Sequence, residues 1–425
     1  MRLPRALVRS LALASLAACS GGEAGPPAPE PEPTPIALTA TGGSTPDGPY
    51  LVGQSVLGRH GYVEYIAGDA PVILTAPHGG TELPDEIPDR TESRCGGDAT
   101  ITTDLNTAEL VIAMRERWFA RFGNRPHVVV MHLARRRLDP NRPLAEAACG
   151  DPEAEIAYGE WHAFIDAAKE AVLQSTGKGW YMDMHGHGHV IQRLEIGYLL
   201  SAAQLDLPDA ELDANPALED TSSVRTISRE SPATFSELLR GPESLGSLYA
   251  AEGFPALPSA GDPRPSGSPY FSGGDDTRRH GCGAEAASFG GSAGGNICGV
   301  QIEANFAGVR DDAANRDRFG DATARVLERY LFQHWGLRVR RPPSGATTQV
   351  VAAQVAATAG ASWADLAWSG ASGPRVDVWR NGTRLTTTEN DGSYTDRMPR
   401  TLASARYKIC EEGVTRCSNE VEVRF

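Results

Sequence analysis

Residues 180–189 read WYMDMHGHGH. The run from Trp180 to Met184 carries a strand signal, and it ends on Asp183-Met184-His185-Gly186. Asp183 and His185 are two residues apart, so a strand places both on one face. The same pattern recurs at three other places. Val72–Ala76 is a short apolar run that ends in Pro77-His78-Gly79-Gly80. Residues 128–131 are apolar and lead into Arg135-Arg136-Arg137-Leu138-Asp139-Pro140-Asn141-Arg142. Residues 299–302 lead to Glu303, with Gln301 and Glu303 again on one face. Between these runs the apolar spacing predicts helices. One covers 104–121 (Leu110, Val111, Met114, Trp118), one 153–174 (Trp161, Phe164, Ile165, Ala168, Val172) and one 310–336 (Phe319, Val326, Leu327, Tyr330, Trp335). Strands alternating with helices predict an α/β fold, a sheet flanked by helices on both faces. In open α/β sheets ligands bind beyond the carboxyl ends of strands. Four strands thus aim ionisable groups at one crevice. Residues 201–270, rich in Pro, Ser, Asp and Glu, read as a long excursion with one helix near 234–251.

The ends of the chain carry other signals. Residues 1–19, MRLPRALVRSLALASLAAC, have the basic start and apolar stretch of a secretory signal peptide. The ending resembles a bacterial lipobox, which implies lipidation of Cys19. Ser20, rather than Asp, favours the outer membrane by that resemblance, and so an envelope location. Residues 20–35 are a Pro-rich tether unable to form a core. The main domain is expected over 36–340, a linker over 341–350 and a last domain over 351–425. That last part has turn signals at Asn381-Gly382 and Asp391-Gly392, with Trp368 early and Tyr407 late. It resembles a fibronectin type III module, a small all-β sandwich.

The 425 residues suggest two or three domains. A net charge of −14 disfavours nucleic acid as a partner. No apolar run after residue 20 reaches the roughly 20 residues of a membrane span, so attachment to the membrane is expected through the N-terminal lipid. Setting Cys19 aside, six cysteines remain, and an even number in an exported chain suggests disulfides. Proximity in sequence favours Cys410–Cys417 and Cys282–Cys298, which leaves Cys95–Cys149.

Two histidines and a carboxylate, with one open position, describe a catalytic zinc site. His78 and His185 are the imidazoles. Gly79 and Gly80 let the backbone come close to a ligand. The carboxylate is Asp104, which opens the first long helix and can cap it, or Glu82, four residues after His78. Glu303 suits the base that activates water. Arg135 and Arg142, with Asn141 beside them, suit a clamp on a substrate carboxylate. Asp183 is expected to orient a ligand. His187 and His189 read as solvated loop residues and Arg136 and Arg137 as surface charges. His60, His127, His132, His162 and His334 read as structural, and Arg279 and His280 are undecided.

The pieces PHGG, TDLNTAEL, R-x-x-x-D-x-N-R, DMHGHGH, FSGGDDTRRHG and VQIEAN occur in this order over residues 65–335. Together they resemble the N-formylglutamate amidohydrolases, relatives of the zinc carboxypeptidases and aspartoacylase. The resemblance implies a mixed sheet of the zinc carboxypeptidase kind and Zn2+ as cofactor. It implies zinc held by His78, His185 and Asp104 in preference to Glu82. Arg135, Asn141 and Arg142 would hold the substrate carboxylate, Glu303 would be base and proton shuttle, and Arg278 would bind substrate or the oxyanion. The substrate would be a small acyl-amino acid or peptide, cut at an amide next to a free carboxylate. An exported chain departs from a family whose substrate is cytoplasmic, so the reaction class carries over better than the substrate. The alternatives are an envelope metallocarboxypeptidase or amidase acting on peptides or cell wall, and an inactive surface binding protein.

Overall fold

The computed structural model describes residues 50–96, 99–289 and 295–339, then 354–360, 363–369, 371, 375–390, 392–397, 404–411, 417–418 and 420–424. The expected signal peptide with Cys19, the 20–35 tether and the 341–350 linker lie outside the described residues.

Eight strands form one mixed sheet: β1 Ser55–Leu57, β2 Val63–Ile66, β3 Val72–Ala76, β4 His127–Met131, β5 Gly179–Gly186, β6 Leu194–Gly197, β7 Ala256–Leu257 and β8 Ile297–Ala304. Their order is β1-β2-β4-β3-β5-β8-β6-β7. The inner four, β4-β3-β5-β8, run parallel. Every residue of β3, β4 and β8 is buried, as expected where helices cover both faces. β2 runs antiparallel to β4, and β6 antiparallel to β8. The strands β1, β2, β6 and β7 are two to four residues long, too short for a periodic signal, and the apolar runs do not predict them.

Helices Thr107–Phe122 and Ala313–Trp335 pack on one face and Pro152–Thr176 on the other. The last is well punctuated. Asp151 accepts from the N–H groups of Glu153 and Ala154, Pro152 opens the first turn, and Gly177 closes it at φ 73°. The expected excursion at 201–270 is instead an ordered helical layer. Six short helices run from Ala202–Leu205 to Leu245–Ala251, and Leu212, Ile227, Leu238, Leu239 and Tyr249 join the core of the first face. Helices of four to seven residues are too short to show a 3.6-residue period, so their caps and prolines dominated the reading.

The sulfurs pair as Cys95–Cys149, Cys282–Cys298 and Cys410–Cys417. Three disulfides suggest an oxidising, extracytoplasmic setting. Among the described residues no helix is long and apolar enough to cross a membrane.

The C-terminal strands β9 Gln354–Gly360, β10 Trp363–Ser369, β11 Arg375–Arg380, β12 Thr383–Glu389, β13 Ser393–Arg397, β14 Ser404–Glu411 and β15 Val421–Arg424 form two antiparallel sheets, β13-β10-β9 and β12-β11-β14-β15. Leu366, Trp368, Val376, Val378, Tyr407 and Ile409 share one core. Asn381 and Gly382 both have positive φ (50° and 79°) and close the hairpin between β11 and β12.

Candidate active site

β5 and β8 pair in parallel, with Asp183 beside Gln301 and His185 beside Glu303. The two-residue period sets all four on one face at the C-terminal end of the sheet. On the other side of β5, β3 runs out into His78. Asp104 is tied to that loop, because its N–H donates to the His78 carbonyl at 2.9 Å. Asp104 does not cap the helix as expected. Asn106 is at the N-cap, and the Asp104 carboxylate turns inward, accepting the Gly186 N–H at 3.1 Å.

The Oδ2 atom of Asp104 stands 3.4 Å from Nδ1 of His78 and 3.4 Å from Nδ1 of His185. Each ring is held from behind by another carboxylate. His78 Nε2 meets Asp139 Oδ1 at 2.7 Å, and His185 Nε2 meets Asp183 Oδ2 at 2.8 Å. A carboxylate behind Nε2 fixes a proton there and leaves Nδ1 as the inward lone pair. Nδ1 of His78 is buried with no hydrogen-bond partner. His78, Asp139, Asp183 and His185 are at most 2 % exposed, so with Asp104 three carboxylates and two imidazoles crowd one buried volume that calls for positive charge. Burial alone would push the His185 pKa down, yet Asp183 and Asp104 carry it well above its ordinary value. A cation between the three inward atoms meets the same demand. Ligands about 2.0–2.1 Å from a tetrahedral metal stand about 3.4 Å apart, and a His2Asp set backed by carboxylates suits zinc. The residues fit the ion that the sequence implied.

A cavity of about 600 Å³ opens over this triad. Glu303 lines it, and burial, reinforced by Asp104 and Glu195 and opposed by His185, pushes its pKa up to about 7. Gln301 steadies Glu303 by donating Nε2–H to Oε1 at 2.8 Å. Arg135, Asn141 and Arg142 also line the cavity. Arg135 is half spent, its Nε–H bound to Asp139 at 2.8 Å. Asn141 is buried, and its Oδ1 accepts the Asp276 N–H at 2.9 Å. The backbone of Gly274 passes so close that a Cβ there would overlap the Asn141 amide at 2.3 Å.

Two expected residues are not brought to the site. Glu82 is exposed in a short bridge to Leu133, outside the triad. Arg278 does not line the cavity, and its guanidinium binds Asp275 at 2.7 Å and Glu285 at 3.3 Å, because its short helix turns it outward. The glycines after His78 also serve another purpose than expected. A Cβ on Gly79 would lie 2.6 Å from the Ala108 nitrogen, and one on Gly80 2.3 Å from the His132 backbone. They let the loop nest against the helix and β4 rather than against a ligand.

The structure adds residues that sequence reasoning passed over. Asp139 was visible only as part of R-x-x-x-D-x-N-R. Arg310 is buried behind the site and donates to the carbonyls of Ala304, His187 and Leu105, with no motif to announce it. His187 and His189, read as solvated, line the cavity. His162, Asp276 and His280 form a fully buried cluster, with His162 Nδ1 3.0 Å from His280 Nε2 and Trp161 donating to Asp276. Through the Asp276 N–H this cluster supports Asn141.

No protein-family model and no curated protein matches the chain. Solved structures similar to it include an N-formylglutamate amidohydrolase from Ralstonia eutropha JMP134, 14 % identical with a TM-score of 0.36. The match covers 64 % of this chain and 96 % of that one. A gene product from Agrobacterium tumefaciens is 15 % identical with a TM-score of 0.35, over 64 % of this chain and 94 % of that one.

Proposed function

We propose that the chain is a zinc-dependent amidohydrolase that hydrolyses an amide next to a free carboxylate, working in the cell envelope and anchored through a lipid on Cys19. The observation that carries the reading is the convergence of His78 Nδ1, His185 Nδ1 and Asp104 Oδ2 beside Glu303 in an open cavity with arginines on its wall. A zinc ion held by His78, Asp104 and His185 supplies a Lewis acid and lowers the pKa of water. Glu303 takes the proton from the attacking water. Arg135 and Arg142 hold the substrate carboxylate by charge-assisted hydrogen bonds and so orient the amide over Glu303. The order of the C-terminal strands supports a fibronectin type III-like module, and the disulfides support export.

The test is zinc analysis of the purified chain with a panel of N-formyl and N-acyl amino acids, peptides and their carboxyl-amidated counterparts. His185→Ala should lose most of the zinc. Glu303→Gln should keep it and lose about 10²–10⁴-fold in rate. Arg142→Ala should cost roughly 10–100-fold on substrates with a free carboxylate, as one lost charge-assisted hydrogen bond of about 1.5–3 kcal/mol predicts, and little on amidated ones. Unchanged zinc in both His78→Ala and His185→Ala would sink the metal site. Equal cleavage of free and amidated substrates by wild type would remove the clamp and favour a peptidase cutting internally. No turnover of any substrate by the zinc-loaded protein would leave a surface binding protein.

A further inference from the structure

Across the sheet the chemistry continues past Glu303. β6 lies on the other side of β8 from β5, and its Glu195 is in register with Glu303. Glu195 is fully buried, and both of its oxygens accept: Oε1 from His189 Nδ1 at 2.7 Å, Oε2 from the Phe271 N–H at 2.9 Å. Among the described residues the ion-pair partner of Glu195 is His189. A buried carboxylate is costly unless it has a partner, and here Glu195 spends its two oxygens on orienting the His189 ring and the Phe271 backbone.

The loop that carries His189 is built rather than loose. His187 spends both ring nitrogens inside it, accepting the His189 N–H at Nδ1 (3.1 Å) and donating from Nε2 to the Arg193 carbonyl (2.8 Å). Phe271 stacks flat on the His189 ring, with centroids 4.8 Å apart and planes 9° off parallel. With Nδ1 committed to Glu195, Nε2 of His189 has no partner among the described residues, and His189 lines the same cavity as Glu303. The ordinary explanation, a surface histidine paired with a surface carboxylate, does not account for a Glu195 with no exposure or for a ring facing the cavity.

We propose that His189, positioned by Glu195 and Phe271, is the catalytic acid that gives its Nε2 proton to the departing amine nitrogen. The assignment rests on the amidohydrolase reading above. The carbonyl carbon gains a bond to the oxygen of water, whose proton goes to Glu303. As the C–N bond breaks, its electron pair stays on nitrogen, which takes the His189 proton. The proton on Glu303 then returns to His189 through solvent, and the products are an acid and an amine. Glu303 and His189, both lining the cavity, thus divide the two proton transfers between them.

The experiment compares an N-acyl amino acid with the matching O-acyl hydroxy acid on the full zinc-loaded chain. An amine nitrogen leaves only when protonated, whereas an alkoxide depends on an acid far less. His189→Gln and His189→Ala should lose about 10²-fold or more on the amide and less than about tenfold on the ester, with zinc content unchanged. Glu195→Gln should shift the amide-to-ester ratio in the same direction by a smaller factor, which a merely structural role would not do. Equal losses on both substrates, or none, would overturn the assignment of His189 while leaving the amidohydrolase reading in place. A wild-type protein that cleaves neither substrate would overturn both.

Discussion

The Asp139 carboxylate takes the Nε2–H of His78 at 2.7 Å and the Nε–H of Arg135 at 2.8 Å, so one buried residue sets both a candidate ligand and a candidate clamp. Burial opposes its charge, yet the His78 ring and the Arg135 guanidinium beside it hold its pKa well below the usual carboxylate range. Asp139→Asn removes the charge that fixes the His78 tautomer. Zinc affinity should fall by about 10–100-fold, as for other carboxylates behind metal-binding histidines. Competition against a chelator measures it, and unchanged affinity would show that His78 is not a ligand. In the sequence Asp139 was only one letter of a motif, because nothing local says that a residue four after Arg135 lies behind a histidine 61 positions earlier.

The helical layer from Ala202 to Ala251 shows what an element owes to its context. Isolated helices this short are marginal in water, so burial of residues such as Leu238 and Leu239 against the main core holds them. Leu238 has no exposure, and Leu238→Ala should cost about 2–5 kcal/mol by chemical denaturation. A cost under about 0.5 kcal/mol, the size of a surface substitution, would mean that the layer is not packed as described. The long helices were legible because 16 to 25 residues repeat the apolar period several times. The layer was hidden because each of its helices, four to seven residues long, ends within two turns.

Over the whole molecule, buried neutral histidines make acid the weak condition. Burial, with Arg115 adding to it, pushes the pKa of His127 down to about 4, and burial does the same for His280. The His127 Nδ1 faces the Tyr65 hydroxyl and accepts the Gly68 N–H, so a proton there is unwelcome. As pH falls, the unfolded chain takes up protons first, near 6.5, while the folded chain resists until about 4. The stability that these two histidines contribute is therefore complete above about pH 6.5 and declines between 6.5 and 4. Denaturant midpoints across this range should show the decline, and His127→Asn, which keeps an acceptor near Nδ1, should flatten part of it. A wild-type midpoint constant from pH 7 to 4 would contradict the assignment.

The sequence by itself determined the inner strands, the three long helices, the even cysteine count and the candidates His78, His185 and Glu303. Each of these is local: a period, a spacing or a residue type at the end of a run. Only the tertiary structure decided that Asp104 rather than Glu82 faces the two imidazoles, that Arg278 turns outward, and that Asp139 and Glu195 lie behind His78 and His189. Those facts depend on which strands are neighbours and in what register, and register is set by packing across the sheet between residues dozens of positions apart.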